Sequence, residues 1–149
     1  MSTVGGRHSG CIVRIDRRPQ RQVDPELLVG VQIPMRIAGR AAFIPGLIVY
    51  RGPEGRNDIP DASRVLVVVE VADPSRNYDR GVKLPRYAAA GIAGAWLLDL
   101  VSDKIERHSD PGPDGYRQVF LDGHGDDFAS LICPTVQFSA DSILGQPAA

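Results

Sequence analysis

The sequence predicts a strand-rich α/β domain built around a mixed sheet, and three stretches carry that expectation. The first is Val65-Leu66-Val67-Val68-Val69-Glu70-Val71, five apolar residues ahead of a single carboxylate. An apolar run that does not alternate fits a strand buried on both faces, at the centre of a sheet. The second follows a polar turn: Leu84, Tyr87 and Ala88 fall at i, i+3 and i+4, one face of a helix, with Gly91 placed to end it in a left-handed conformation. The third is Gly94–Leu100, an apolar strand paired across a short turn with Lys104–His108. A strand, a helix, a further strand and a hairpin belong together in a mixed sheet flanked by helices.

Taken in order, residues 1–8 are small and polar enough for a loose start. From Ser9 to Arg18, Cys11, Ile12 and Ile15 give one apolar stripe of a short helix, which Pro19 stops because proline removes a backbone donor. Asp24-Pro25-Glu26 opens a turn. Leu27–Ile33 is expected as a strand ended by Pro34, and Phe43–Tyr50 as the next. Residues 51–58 are a loop by composition. The helix after the central strand has Asp79 as a potential cap. Pro85 sits late for a first-turn proline counted from there, so the helix either begins nearer Val82 or carries a kink. Pro111–Gly115 and Asp122–Asp127 are expected as loops on either side of a strand, Tyr116–Phe120. Val136–Leu144 closes the chain with a strand and a short helix.

At 149 residues the chain suits one domain. The net charge of −1 gives no general pull toward nucleic acid or an acidic surface, so such a site must be a local patch. Arginine is concentrated near the N-terminus, at Arg7, Arg14, Arg17, Arg18 and Arg21. Cys11 and Cys133 lie far apart with no metal-ligand spacing and are read as reduced thiols. No segment has the apolar length to span a membrane, and the expected setting is cytoplasmic.

Chemistry centres on Glu70. A charge near the end of a buried strand is costly unless it is paired or binds a cation, so Glu70 is either a salt-bridge partner or a metal ligand. Lys83 is the nearest basic group on the element behind it. His124, Asp126 and Asp127 have the right atoms for a metal but lie in a glycine-rich turn, which favours a solvated loop. His8 reads as a surface histidine, and Tyr87 and Trp96 as core or dimer contacts. Arg14, Arg17 and Arg18 suit phosphate recognition, although a solvated face accounts for them as well.

The same residues carry a family resemblance. Val69-Glu70-Val71, Asp73-Pro74-Ser75, Tyr78-Asp79-Arg80, Lys83-Leu84-Pro85, Tyr87-Ala88, Ala90-Gly91-Ile92 and Trp96-Leu97-Leu98-Asp99 resemble the Uma-two family, which is similar in fold to the PD-(D/E)xK nucleases. Gly6-Arg7-His8, Val31–Arg36, Pro134, Phe138-Ser139 and Ile143-Leu144 extend the resemblance over nearly the whole chain. It implies a restriction-endonuclease-like mixed central sheet with flanking helices and C-terminal antiparallel strands, and metal-dependent hydrolysis of DNA. In that chemistry an aspartate and a glutamate on neighbouring strands hold Mg2+ or Mn2+, and a lysine faces the scissile phosphate. Glu70 matches the glutamate. Ala72 stands where the superfamily lysine often sits, and Lys83, on the following helix, matches the family's lysine. A homodimer is a further implication.

Two departures qualify the activity. Ile44-Pro45-Gly46 stands where members carry a Pro-Asp pair, so Gly46 occupies the position of the metal-binding aspartate. Members also begin some tens of residues earlier, and that part is expected to be missing here. Asp73, just past the strand, and Asp61, after Pro60, are the nearest substitutes, with Asp73 the better placed. The expectation is an impaired or inactive endonuclease. The alternatives are a non-catalytic nucleic-acid-binding or interaction descendant, and a shortened product without a role of its own.

Overall fold

The computed structural model of the chain describes residues 27–38, 40–52, 59–72, 79–129 and 137–145. The expected N-terminal helix, His8, Cys11, Arg14, Arg17, Arg18, Arg21, Asp73 and Cys133 lie outside them. The elements are β1 (Leu27–Val31), β2 (Met35–Ile37), β3 (Arg40–Phe43), β4 (Leu47–Arg51), β5 (Val65–Ala72), α1 (Leu84–Ala89), β6 (Gly94–Asp99), β7 (Lys104–Gly112), β8 (Gly115–Gly123), β9 (Asp127–Ala129), β10 (Gln137–Ser139) and α2 (Ala140–Leu144). The main sheet has six strands in the order β1-β4-β5-β6-β7-β8. Only β5 and β6 run parallel in it, because α1 carries the chain across between them, and the other neighbours are antiparallel. The mixed α/β sheet predicted from the sequence is the observed architecture.

The central position expected for Val65–Val71 is borne out: β5 is flanked on both sides and buried along nearly its whole length. Side chains alternate across a strand, and the two faces meet different covers. Val67, Val69 and Val71 join Trp96, Leu98, Phe128, Ile143 and Leu144 in one core under α2. There Trp96 meets Phe128 edge-on, with ring centroids 5.2 Å apart. Val68 and Ala72 join Leu84, Tyr87, Ile92 and Leu97 in the other core, beneath α1 and the β2–β3 hairpin. Glu70 falls between Val68 and Ala72 in the alternation, so it shares the α1 face.

The entry to the helix differs from the sequence reading. A π-helical turn, Asp79–Lys83, precedes α1. The cap position of α1 is Lys83, itself in a helical conformation and without a side-chain cap bond, so Asp79 is not the cap. Pro85 then sits in the first turn of α1, where its missing N–H costs nothing. The exit follows the prediction. Gly91 has φ +83°, Gly91 N donates to Ala88 O at 2.9 Å, and Ile92 N donates to Tyr87 O at 3.2 Å. That pair of bonds is a Schellman motif, closed by the buried Ile92.

The expected strand Phe43–Tyr50 is in fact two. β3 ends at Phe43 and pairs with β2, whereas β4 starts at Leu47 and pairs with β1 and β5. Pro45 has no N–H to give a ladder, and the Ile44-Pro45-Gly46 segment is where the chain changes partners. The C-terminal expectation of a strand and a short helix holds as β10 and α2.

Candidate functional site

β5 and α1 bring Glu70 and Lys83 together. Lys83 Nζ lies 3.6 Å from Glu70 Oε1, with the lysine side chain 19% exposed and the glutamate side chain 8%. Lys83 therefore faces Glu70. The π turn and the first turn of α1 stand above the end of β5, so a lysine eleven residues beyond Ala72 returns to the strand that Glu70 occupies.

Gly46 belongs to the same neighbourhood through the register of β4 on β5. Leu47 pairs with Val69 and Ile48 with Val68. Continuing that antiparallel count one step places Gly46 opposite Glu70. Its carbonyl accepts a bond from Gln32 N at 3.1 Å, which ties the segment to the end of β1. A residue at this position shares the Glu70 face of the sheet. A groove of about 440 Å3 opens elsewhere, between Ile37, Asp61 and Arg86, and none of Gly46, Glu70 and Lys83 lines it.

Tyr87 is the residue that sequence reasoning placed only in the core. It is fully buried, and its hydroxyl donates to Glu70 Oε1 at 2.7 Å. A signal was present in the sequence, since Lys83 and Tyr87 are four residues apart and share a helix face. Trp96 is core, as expected. On the far side of Leu97 the same sheet row reaches Glu106, whose Oε1 is 3.0 Å from His108 Nε2. The fully buried Leu97 lies between this pair and Glu70.

The other acidic candidates separate from this centre. Asp61 is exposed, and its backbone forms an isolated β-bridge with Arg36 on β2. His124 pairs with Asp141 through Nδ1 at 2.5 Å and faces Asp103 through Nε2 at 3.5 Å. Asp126 instead accepts from Gly123 N at 2.8 Å and closes the turn, so His124, Asp126 and Asp127 do not converge. Among the described residues, no group of three or more histidine, cysteine, aspartate or glutamate side chains is arranged to hold a metal ion.

With this geometry in place, comparison with known proteins is decisive for family. The Uma2 family profile, described as "Putative restriction endonuclease", matches residues 1–141. The chain belongs to the Uma2 family. Its fold is similar to that of a solved structure from Anabaena variabilis ATCC 29413, described as a "putative nuclease belonging to DUF820". That similarity has a TM-score of 0.75 and covers 96% of this chain and 83% of the other, at 12% sequence identity. No curated protein matches the sequence.

Proposed function

We propose that this chain is a single restriction-endonuclease-like domain whose site at Glu70 and Lys83 hydrolyses phosphodiester bonds in DNA with the help of Mg2+ or Mn2+, and that Gly46 leaves it impaired. The observation that carries the reading is the approach of Lys83 Nζ to within 3.6 Å of a buried glutamate, on the sheet face that Gly46 shares by register. Family membership supports nuclease chemistry and a divalent metal in general terms.

The donor set fits Mg2+ in part. Magnesium is held by hard oxygens, often through one or two carboxylates together with substrate phosphate and retained waters. Glu70 is one such carboxylate, Asp73 is a candidate for another from its place in the sequence just past β5, and Gly46 contributes only backbone. When bound, the metal supplies a more acidic water and neutralises charge on the phosphate. Glu70 would fix the cation at the end of β5. The Lys83 ammonium, a compact charge with three donors, would face a phosphate oxygen and stabilise charge developing there. Arg14, Arg17 and Arg18 would add sequence-independent contacts to the DNA backbone.

The absence of a side chain at Gly46 favours a second reading, a non-catalytic nucleic-acid-binding or interaction descendant. Among the described residues no helix is long and apolar enough to cross a membrane, and a cytoplasmic setting is part of the proposal. A homodimer is another part. Its surface would be the edge strand β8, where Val119, Phe120 and Leu121 are exposed in succession.

Supercoiled-plasmid nicking tests the function. The unaltered chain is expected to nick slowly, only with Mg2+ or Mn2+, and Lys83→Ala is expected to abolish this. Nicking that survives Lys83→Ala or chelation would sink the site assignment. DNA binding without any nicking would favour the non-catalytic descendant.

A further inference from the structure

We propose that Tyr87 is a positioning residue for Glu70: its hydroxyl orients the carboxylate. The inference rests on the metal-site reading above. Two groups on one helix face approach the same oxygen, Glu70 Oε1. The Tyr87 hydroxyl reaches it at 2.7 Å and the Lys83 ammonium only at 3.6 Å. The first distance belongs to a short, charge-assisted hydrogen bond. The second is an ion pair without hydrogen-bond contact.

Packing alone does not account for a tyrosine here. The residue is fully buried, and its ring meets Phe43 edge-on with centroids 5.4 Å apart and an interplanar angle of 78°. Phenylalanine would keep that contact and bring no hydroxyl to desolvate. The hydroxyl is also unusually well fixed for a single group. The ring is wedged against Phe43, and the backbone carbonyl of Tyr87 accepts Ile92 N in the Schellman motif. A donor held from both ends sets the plane of the carboxylate it bonds. Without the hydroxyl, the Glu70 carboxylate loses the group that fixes its orientation beneath α1.

The test uses the full chain, with Mn2+ alone as the probe for metal and 13C NMR of the Glu70 carboxyl carbon as the metal-free readout. Tyr87→Phe is expected to weaken Mn2+ binding about tenfold, the usual scale for losing an outer-shell partner. It is also expected to alter the Glu70 titration curve in metal-free protein, since a hydrogen bond to the charged form is lost. Fluorotyrosine at position 87, a stronger donor of the same shape, is expected to move the titration the opposite way from Tyr87→Phe. It also keeps the test alive if the phenylalanine variant does not fold. If neither change affects the titration or Mn2+ affinity, while Glu70→Gln still removes Mn2+ binding, the metal reading stands and the positioning role is overturned. If the unaltered chain shows no Mn2+ binding that Glu70→Gln removes, both are overturned.

Discussion

Replacing Glu70 by glutamine separates what the carboxylate contributes to stability from what it contributes to chemistry. The shape is kept, and the carboxamide oxygen still accepts from the Tyr87 hydroxyl, 2.7 Å from Oε1 in the unaltered chain. A hydrogen bond to a charged group contributes about 1.5–3 kcal/mol and a neutral one about 0.5–1.5 kcal/mol, so this contact weakens by about 1 kcal/mol. The Lys83 contact, at 3.6 Å with the lysine 19% exposed, contributes roughly another 1 kcal/mol at most. Opposing these losses is the cost of holding a carboxylate in a residue only 6% exposed. That cost is of the order of several kcal/mol for an ion withdrawn from water. The expected outcome is an unfolding free energy unchanged or raised by about 1–2 kcal/mol. For a domain of this size each kcal/mol moves Tm by about 2–4 °C. Scanning calorimetry at pH 7, with guanidinium unfolding to check that the m-value is retained, measures it. A fall in Tm of more than about 10 °C would refute the reasoning, because the carboxylate would then be a structural pillar and not a functional cost.

Two further outcomes follow from other parts of the fold. Leu121→Lys replaces a side chain that is 66% exposed on edge strand β8, and lysine on an edge opposes strand pairing. Sedimentation velocity is expected to show a dimer for the unaltered chain and a monomer for the variant, and a monomeric unaltered chain ends the homodimer proposal. Tyr116 donates its hydroxyl to Ile92 O at 2.8 Å, and burial pushes its ionisation above the ordinary tyrosine value. The unfolded chain releases that proton near pH 10 while the folded chain keeps it, so stability should fall as pH rises beyond about 10. Tyr116→Phe should lose about 1 kcal/mol below that pH and show a shallower alkaline decline. Equal alkaline slopes in chemical denaturation would contradict this.

The legible parts of the fold are those where one physical signal dominates. A run of β-branched residues such as Val67-Val68-Val69 has few solutions other than a buried strand, and β5 lies where that run is. Gly91 and the helical spacing before it were equally readable, because the Schellman end needs a residue at φ +83°. The break at Ile44-Pro45-Gly46 was harder. Apolar residues run through it, and only the exchange of partners between β2 and β1 reveals two strands. The pairing of Glu70 with Lys83 could be anticipated from the cost of a buried charge and a family resemblance. Tyr87 was not anticipated in its polar role, since an aromatic on the apolar stripe of a helix is first of all core. Its hydroxyl acquires a meaning only when the helix is laid on the strand.

On the proposed reading, an endonuclease site persists around Glu70 and Lys83 and lacks one carboxylate at Gly46. Plasmid nicking by Gly46→Asp in Mg2+ or Mn2+ tests it most directly. The substitution adds an anionic group opposite Glu70 on the same face, by the register of β4 on β5. Each ~1.4 kcal/mol regained in the transition state is worth tenfold in rate. Nicking is expected to be at least about tenfold faster than by the unaltered chain, and lost again when Lys83→Ala is added. No gain from Gly46→Asp in a folded protein, or a gain that persists without Lys83, would contradict it.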